Sequence, residues 1–461
     1  MKNGSFSAAG IRWSLVGALG VLLVWGLLPS RREGGSPWTP AEEDLPVEAA
    51  ARDPRPRMDV RHPPAGRMPT AAEQVAERLD RFVRGRWEVV QRLATSAGVP
   101  VPPEVVRFYE LAEAGRWDEV DFLYAALVER REGEGDASGL TRFMPALLET
   151  LGVHEAVRDW PAQALLDYGK AVLDSVPPGG VYLGGSDSGR FIPTLLADAG
   201  EGNGPIVLTQ SALAALNYVD YARALYGDRL NLPTPEDSRQ AFDDYLADAG
   251  RRLRHDRDHP EEPRQVLPGE DIRLTEGGVQ VSGAKAVMSI NERLARMLLE
   301  ANPGITLSME ETYPFDSLHD SATPRGPLLE VSAKGEGTAP MTPEQAVDSV
   351  SYWQDLSRQL MSDSEVSGSP SARDAYATLL LAQGGLLEQN QFSTEAESVF
   401  RLAREMAPEN VSMALQYSRW LVNHGRTAEA IPIVEETVRY HPSDHPQLQT
   451  LLEQLRGAPT P

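Results

Sequence analysis

Cysteine is absent from the chain, and its absence removes several kinds of chemistry. Disulfide frameworks, thiolate zinc sites, iron–sulfur clusters and cysteine nucleophiles all require thiols. Only histidine, aspartate and glutamate remain as metal ligands. The sequence also lacks the His-Glu-x-x-His motif of zinc metalloproteases and a phosphate loop that ends in Gly-Lys-Ser/Thr.

Basic residues are scarce relative to acidic ones. The chain has 44 Lys and Arg against 67 Asp and Glu, which gives a formal net charge of −23. A field of this sign repels phosphate backbones, so we predict no nucleic-acid partner. The hydrophobic fraction of 41% over 461 residues is ordinary for a globular protein. This length allows about three domains of roughly 150 residues.

Residues 11–28 form a long apolar run, which from Trp13 onward has no charged side chain. The charge-free part, about 16 residues, lies between the length of a signal-peptide core and that of a membrane-spanning helix, so length alone does not decide. No small-residue cleavage site follows the run. Trp13 and Trp25 lie near its ends, where indole rings favour a retained anchor. We therefore predict an uncleaved membrane helix preceded by a short tail, residues 1–10.

The rest of the chain divides into segments of different composition. Residues 29–70 are rich in Pro, Arg and Gly without a helix or strand period, which is typical of a linker. Residues 71–157 have apolar positions at helical spacing. Residues 158–335 alternate short strands with helices and include a charged excursion at 251–285; a connecting segment, 336–370, follows. The predicted strands are 181–183, 206–209, 305–309 and 328–331. Such alternation predicts a parallel or mixed sheet covered by helices.

Two units of equal length align within residues 371–461. Ala396 and Ala430 are 34 residues apart, and so are Pro408 and Pro442. This is the tetratricopeptide period, with small residues where paired helices approach and proline ending the second helix. A final helix is expected to cap the apolar end. The predicted fold class is therefore α/β plus all-α: a single membrane helix, a helical segment, an α/β domain and tetratricopeptide-like helical hairpins.

Polar side chains follow three of the predicted strands, at the edge where ligands bind in open α/β sheets. The candidate ligand-binding residues are Ser186, Asp187 and Arg190 after the first strand, Asn217 in the helix after the second, and Glu310 after the third. If they converge, they form a cleft with both charge signs that is able to hold a sugar or a polar peptide. The glycine-rich turn could also present backbone N–H groups to an anion, although Asp187 would repel phosphate.

A structural interpretation of the same turn stays open. Asp187 would cap the following helix, and Gly184, Gly185 and Gly189 would permit the turn. On this interpretation none of these residues serves a ligand.

We predict no catalytic residue, no cofactor and no metal site. The adjacent Glu310 and Glu311 point to opposite faces of a strand, so they cannot flank one glycosidic bond together. His255 and His259 have the spacing of a metal-binding pair on one helical face. The surrounding charge and Pro260 nevertheless indicate a solvated segment.

A soluble α/β region of bacterial proteins resembles this chain over three stretches: DSVPPGGVYLGGSDSGRFIPTLL (174–196), ALYGDRLNLPTPEDSRQAF (224–242) and VMSINERLARML (287–298). The resemblance covers about residues 150–445. The region occurs in membrane-anchored tetratricopeptide proteins and, more distantly, in the soluble part of protein O-mannosyltransferase-like proteins. In the latter, a proline turn, a short strand and a Gly-x-Asp turn follow one another in the same order.

The resemblance implies an architecture and a bacterial envelope setting, with the soluble body on the exoplasmic (periplasmic) side. Basic residues flank the predicted membrane helix almost equally, so the charge pattern itself does not set the orientation. The chain lacks the polytopic glycosyltransferase half of the mannosyltransferase-like proteins. Transferase chemistry is therefore not implied.

These observations predict a non-catalytic scaffold, anchored in the cell membrane, that binds a protein or peptide partner through tetratricopeptide-like repeats. The alternative is a sugar- or glycan-binding accessory domain, or an enzyme, that assists a membrane glycosyltransferase. The two hypotheses differ in geometry. The alternative requires Asp187, Arg190, Asn217 and Glu310 to line one concave pocket.

Overall fold

A computed structural model describes a mostly helical protein with a small mixed sheet. The described residues are 67–135, 139–197, 204–267, 269–275, 278–332, 341–441 and 446–457. The predicted membrane helix at 11–28 and nearly all of the predicted linker lie outside them. Within the described ranges, no helix combines the length and the apolarity needed to cross a bilayer. The described residues from Val75 onward form one compact unit.

Five helices precede the first strand in the described part of the chain. They are α1 (Ala71–Ala97), α2 (Pro103–Glu113), α3 (Trp117–Glu134), α4 (Met144–Asp159) and α5 (Ala162–Asp174). Val75, Leu79 and Phe82 recur at helical spacing along α1 and are buried. Proline begins α2, where its missing N–H costs nothing. Gly115, with φ of 68°, makes the turn into α3, because glycine accepts this left-handed conformation.

The central sheet is mixed. Its strands are β1 (Val181–Gly184), β2 (Ile206–Thr209), β5 (Thr306–Met309), β6 (Ala322–Arg325) and β7 (Leu328–Ser332). The elements between these strands are α6 (Asp187–Ala197), α7 (Leu216–Tyr226), α8 (Pro235–Asp258), β3 (Asp271–Thr275), β4 (Gly278–Ser282), α9 (Ala284–Ala301) and α10 (Asp316–His319). The strand order is β2-β1-β5-β7-β6. β1 runs parallel to β2 and β5, whereas β7 is antiparallel to β5 and β6. Strand β6 is not among the strands that the sequence predicts.

The predicted charged excursion contains an antiparallel hairpin, β3–β4. Glu270, directly before β3, fastens it to α8. Its carboxylate accepts a hydrogen bond from the Arg252 guanidinium at 2.7 Å and from the Tyr245 hydroxyl at 3.0 Å. The side chain of Glu270 is buried, so these charge-assisted contacts compensate for its loss of water.

The two faces of the sheet differ in polarity. Side chains alternate along a strand, and the register between β1 and β5 places Leu183 and Met309 on one face. The opposite face carries Tyr182 and Ser308, which are also neighbours in this register. Helix α6 lies on the polar face: the Tyr182 hydroxyl donates to the carbonyl of Gly189 in this helix at 2.6 Å. The sheet therefore buries polar groups on the side where α6 lies.

Tyrosine hydroxyls close the outer edge of strand β2. The Tyr226 hydroxyl accepts from the Val207 N–H at 3.1 Å and donates to the Val207 carbonyl at 2.9 Å. Tyr218, two turns earlier in α7, accepts from the Thr209 N–H at 2.7 Å. Unpaired groups on a sheet edge invite association with another strand. These two side chains take the place of the strand that β2 lacks on this side.

The described residues from 341 onward form a helical array. Its helices are α11 (Pro343–Ser362), α12 (Ser364–Ser367), α13 (Pro370–Gln389), α14 (Ser393–Met406), α15 (Val411–Asn423), α16 (Thr427–Tyr440) and α17 (Pro446–Gly457). The pairs α13–α14 and α15–α16 are successive hairpins. Ala396 and Ala430, at equivalent positions of α14 and α16, are fully buried. A Cβ atom at Gly384 would lie 2.8 Å from the Phe400 ring, so glycine allows α13 and α14 to approach.

Gln383 joins this array to the sheet. Its side chain is fully buried in α13. The amide nitrogen donates to the carbonyls of Gly326 at 2.7 Å and Leu328 at 3.2 Å, at the turn between β6 and β7. The amide oxygen accepts from the Ser349 hydroxyl at 2.5 Å and the Trp353 indole at 3.0 Å, both on α11. The Gln383 side chain thereby connects α13, α11 and the β6–β7 turn, around which the apolar core is continuous.

We expect Gln383→Met to lower the free energy of unfolding by about 2–4 kcal/mol, because buried donors and carbonyls lose their partner. Urea unfolding, followed by tryptophan fluorescence and circular dichroism, should remain a single transition because the core is continuous. The control Gln354→Met, at an exposed position of α11, should change stability by less than about 0.5 kcal/mol. Separate transitions for sheet and array would contradict this expectation.

Candidate binding sites

The turn between β1 and α6 holds the carboxylate of Glu310. Oε2 of Glu310 accepts hydrogen bonds from the N–H groups of Gly185 and Ser186, each at 3.0 Å. Oε1 accepts from the Ser186 hydroxyl at 2.6 Å. Glu310 is fully buried, one residue beyond the end of β5. The polar groups at these two strand ends therefore converge, but on a side chain of the protein itself.

The glycines of the turn make room for this carboxylate. A Cβ atom on Gly189 would lie 1.4 Å from Glu310 Oε2, so a side chain at this position would displace the carboxylate. A Cβ atom on Gly185 would lie 2.7 Å from the Glu310 carbonyl oxygen. Glycine is thus required at these positions because of close approach to Glu310.

The geometry is that of an anion site at a helix N-terminus, with Glu310 as the anion. Burial raises the pKa of Glu310, and the hydrogen bonds from Ser186 and Gly185 oppose that shift. The N–H groups that a glycine-rich turn would offer to a phosphate are therefore already occupied. This occupancy weighs against an anionic ligand at the turn.

Ser186, and not Asp187, caps helix α6. The Ser186 hydroxyl accepts a hydrogen bond from the Gly189 N–H at 2.9 Å, the usual N-cap contact. Asp187 is the first residue of the helix, and its half-exposed carboxylate pairs with Arg190 at 2.9 Å. The interpretation that Asp187 serves as the cap is therefore wrong. The helix dipole still stabilises a carboxylate in the first turn.

The five predicted ligand-binding residues separate into two places. Ser186, Asp187, Arg190 and Glu310 surround the glycine turn. The Arg190 guanidinium lies 4.2 Å from the centre of the Phe191 ring, and its Nε has no hydrogen-bond partner within the described residues. The Asn217 amide instead donates to the Thr141 carbonyl at 3.0 Å, which ties α7 to the segment before α4.

Glu311 turns to a different partner from Glu310. Both of its carboxylate oxygens lie 2.9 Å from Nε2 of His319, and Oε1 also accepts from the Phe315 N–H at 2.7 Å. Nδ1 of His319 is hydrogen-bonded to the side-chain oxygen of Gln389 at the end of α13. His319 is not among the candidate residues that the sequence indicates. A lone histidine eight residues after a strand-end glutamate gives no pattern that would reveal the contact.

His319 and Glu311 form a buried ion pair. Burial favours the neutral imidazole and lowers the pKa of His319, but the hydrogen bond and the charge of Glu311 raise it to about 9. The side chains of both residues are almost fully buried. The hydrogen bond between His319 and Gln389 joins this charged pair to the helical array.

A cleft of about 550 Å³ lies between α14, α15 and α16. Its walls and floor include Arg401, Arg404 and Glu405 from α14, Tyr417 from α15, and Glu429 and Glu436 from α16. The Tyr417 ring stacks on Phe400, with centroids 5.8 Å apart. The cleft is therefore lined mainly by charged side chains, together with the largely buried Tyr417.

Ion pairs occupy most of the charged groups of this cleft. Arg404 contacts Glu436 at 2.8 Å, and Arg426 contacts both Glu397 at 2.9 Å and Glu429 at 2.7 Å. The Arg426 hydrogen bond holds the pKa of Glu397 below its ordinary value. The least enclosed of these arginines is Arg401, whose side chain is 60% exposed and contacts Glu397 at 2.8 Å.

The 34-residue period is visible in the sequence, but the cleft is not. Arg401 and Glu405 are four residues apart on α14, and both are exposed. Ala396 and Ala403 are buried in the same helix. This amphipathic division was the available signal, and it does not by itself distinguish a binding surface from a solvated one.

We expect Gly189→Ala to lower the free energy of unfolding by more than about 2 kcal/mol, because its methyl group would displace the buried Glu310 carboxylate. In a Glu310→Ala background the same change should cost less than about 1 kcal/mol, because the obstructing carboxylate is gone. Chemical denaturation of the four proteins of this cycle measures the coupling.

Asp187→Asn supplies the control for this cycle. Its side chain is 61% exposed, so we expect a change within about 0.5 kcal/mol. Equal costs of Gly189→Ala in both backgrounds would show that Glu310 does not dictate the glycine.

The pair of His319 and Glu311 should make stability depend on pH. The pKa of His319 rises from 6.5 to about 9 on folding, so its contribution is complete below pH 6.5 and is lost as the pH rises through 9. We expect a loss of about 2–4 kcal/mol over this window. His319→Gln should remove that part of the slope when unfolding is measured in urea at each pH. The same slope in both proteins would refute the pair's role.

No protein-family model matches this chain, and no curated protein or solved structure is significantly similar to it. The resemblance to membrane-anchored tetratricopeptide proteins therefore stays a prediction. What the protein does must be argued from the geometry of its own residues.

Proposed function

We propose that the protein is a non-catalytic scaffold that binds a peptide segment of a partner protein in the cleft between α14, α15 and α16. The observation that carries the proposal is the cleft itself, which combines exposed charges of both signs with Tyr417. Its volume of about 550 Å³ is sufficient for a few side chains of an extended peptide.

The repeat pattern supports this assignment. The hairpins α13–α14 and α15–α16 have buried alanines 34 residues apart, at Ala396 and Ala430. We infer that they are tetratricopeptide-like units, which use stacked helical hairpins to present an extended surface. The α/β region would then be a second module of the same body, as the resemblance implies.

The attachment of α13 to the sheet limits where a partner can bind. Gln383 and Gln389 of α13 both contact groups outside the array, at the β6–β7 turn and at His319. That surface of the first hairpin is therefore occupied by the protein itself. The cleft between α14 and α16 remains accessible.

Two exposed charges on α14 define the ligand. Arg401 pairs with Glu397 at 2.8 Å, but its side chain is 60% exposed. Glu405 is exposed and has no ion pair or side-chain hydrogen bond within the described residues. We propose that a partner peptide presents an acidic side chain to Arg401 and a basic side chain to Glu405. An apolar or aromatic side chain between them would contact Tyr417.

We further propose that the body is held at a bacterial cell membrane through the apolar run at 11–28, on the exoplasmic side. The charge-free sequence and the absence of a cleavage site support the anchor. The resemblance alone supports the side of the membrane.

The glycan-binding alternative has less support. Glu310 fills the glycine turn, and Asn217 is hydrogen-bonded to Thr141 at a different place. The cleft described above and a smaller one along α1, of about 460 Å³, are lined by other residues.

The proposal predicts that random peptides displayed on phage and selected on the full chain will be enriched in segments with both charge signs. The double variant Arg401→Ala/Glu405→Ala should weaken the selected peptides by about tenfold or more, because both charged contacts are lost. Fluorescence anisotropy with labelled peptides measures this loss.

The control is Arg419→Ala/Glu453→Ala, which removes one exposed charge of each sign from α15 and α17. It keeps the net charge equal to that of the cleft variant and should leave binding unchanged. If the selected peptides bind all three proteins alike, the cleft is not the binding surface.

A further inference from the structure

Two histidines lie together at the C-terminal end of helix α8. His255 belongs to its last turn, and His259 follows directly after Asp258, where the helix ends. His259 is the C-cap residue, and its N–H donates to the His255 carbonyl at 2.8 Å, so the helical hydrogen bonding continues up to His259. Their ring centres are 4.9 Å apart. Pro260 comes after the pair and therefore does not disturb its spacing.

The chain then turns back and brings a carboxylate to both rings. The Glu262 N–H donates to the His259 carbonyl at 3.1 Å, which forms the turn. One carboxylate oxygen of Glu262 lies 3.2 Å from Nε2 of His255, and the other lies 3.9 Å from Nδ1 of His259. Glu261 is part of the same cluster: the ligand atoms of His259, Glu261 and Glu262 all lie within 4.8 Å of one another.

A third carboxylate, Asp256, lies beside His255. Its two oxygens accept hydrogen bonds from the N–H groups of Gln265 at 2.6 Å and Val266 at 2.9 Å, which holds the loop that follows the helix. One of these oxygens is 3.8 Å from Nδ1 of His255. That nitrogen is buried and has no hydrogen-bond partner within the described residues. Histidine ligands commonly have a carboxylate on the side away from the metal.

We propose that His255, His259 and Glu262, with Glu261 as a fourth ligand, form a divalent transition-metal site that prefers Zn²⁺. Zinc binds histidine nitrogen and carboxylate oxygen at about 2.0–2.2 Å, so tetrahedral ligands lie roughly 3.4 Å from one another. The two distances from Glu262 to the histidines, 3.2 and 3.9 Å, are close to that value.

The donor set distinguishes this site from an ordinary acidic surface. Imidazole ligands favour zinc and its neighbours over magnesium and calcium, which prefer all-oxygen sites. The negative end of the α8 dipole, together with two glutamates, also favours a cation here. Bound metal would join the end of α8 to the loop that leads to the β3–β4 hairpin.

The test is a titration of the purified full chain with Zn²⁺ in competition with a chromophoric chelator. One Zn²⁺ should bind to this site with a dissociation constant in the micromolar range or tighter. His255→Gln/His259→Gln should weaken that binding by more than about tenfold, and Glu262→Gln should weaken it to a similar degree. Co²⁺ should give a visible absorption band in the wild type that the double variant lacks.

The matched control is His441→Gln/His445→Gln, the other histidine pair spaced four apart, which follows the end of α16 at Tyr440. This variant should retain the zinc site and the Co²⁺ band. The proposal is overturned if the His255/His259 variant binds Zn²⁺ like the wild type, or if no saturable binding occurs. It is equally overturned if Mg²⁺ at the same concentration displaces Zn²⁺, because general attraction to acidic groups would then explain the binding.

Discussion

The buried carboxylate of Glu310 is the contact on which the centre of the fold depends. A charge removed from water is costly unless hydrogen-bond donors replace the water. Gly185 and Ser186 supply those donors from the turn between β1 and α6, and Gly189 leaves the space. Glu310 is 124 residues from Ser186 in the chain, so this turn is satisfied only when β5 has joined the sheet. Local turn chemistry and sheet assembly are thereby coupled.

The same kind of contact joins the sheet to the helices. Helix α13 carries two amides six residues apart, Gln383 and Gln389, which bind the β6–β7 turn and His319. Directional hydrogen bonds admit few alternative arrangements, whereas apolar packing alone tolerates sliding of one layer over another. We infer that these polar contacts specify how the first hairpin sits on the sheet. Within the described residues, α15 and α16 make no side-chain hydrogen bond to the sheet, which leaves the cleft between α14, α15 and α16 accessible.

The success of sequence reasoning depended on how local each signal was. β1, β2, β5 and β7 are short apolar runs bounded by turn residues, and the sequence predicts them. β6 contains Pro324 and Arg325 and has no apolar run, because proline and charge are tolerated at the edge of a sheet. The expectation that polar residues at the carboxyl ends of neighbouring strands lie close together is correct for Ser186, Asp187, Arg190 and Glu310. The sequence does not reveal that the Glu310 carboxylate itself binds the N–H groups of the turn, because a bound anion would satisfy the same groups.

The net charge of −23 constrains how both proposed sites must be judged. Such a field attracts any cation or basic peptide over a distance comparable to the Debye length, about 8 Å at physiological ionic strength. Attraction alone therefore identifies neither site. The contacts that would distinguish them act at short range: paired charges beside Tyr417 in the cleft, and imidazole nitrogens of His255 and His259 at the end of α8. Variants that keep the net charge, and a comparison of metals of equal charge, isolate these contacts from the field.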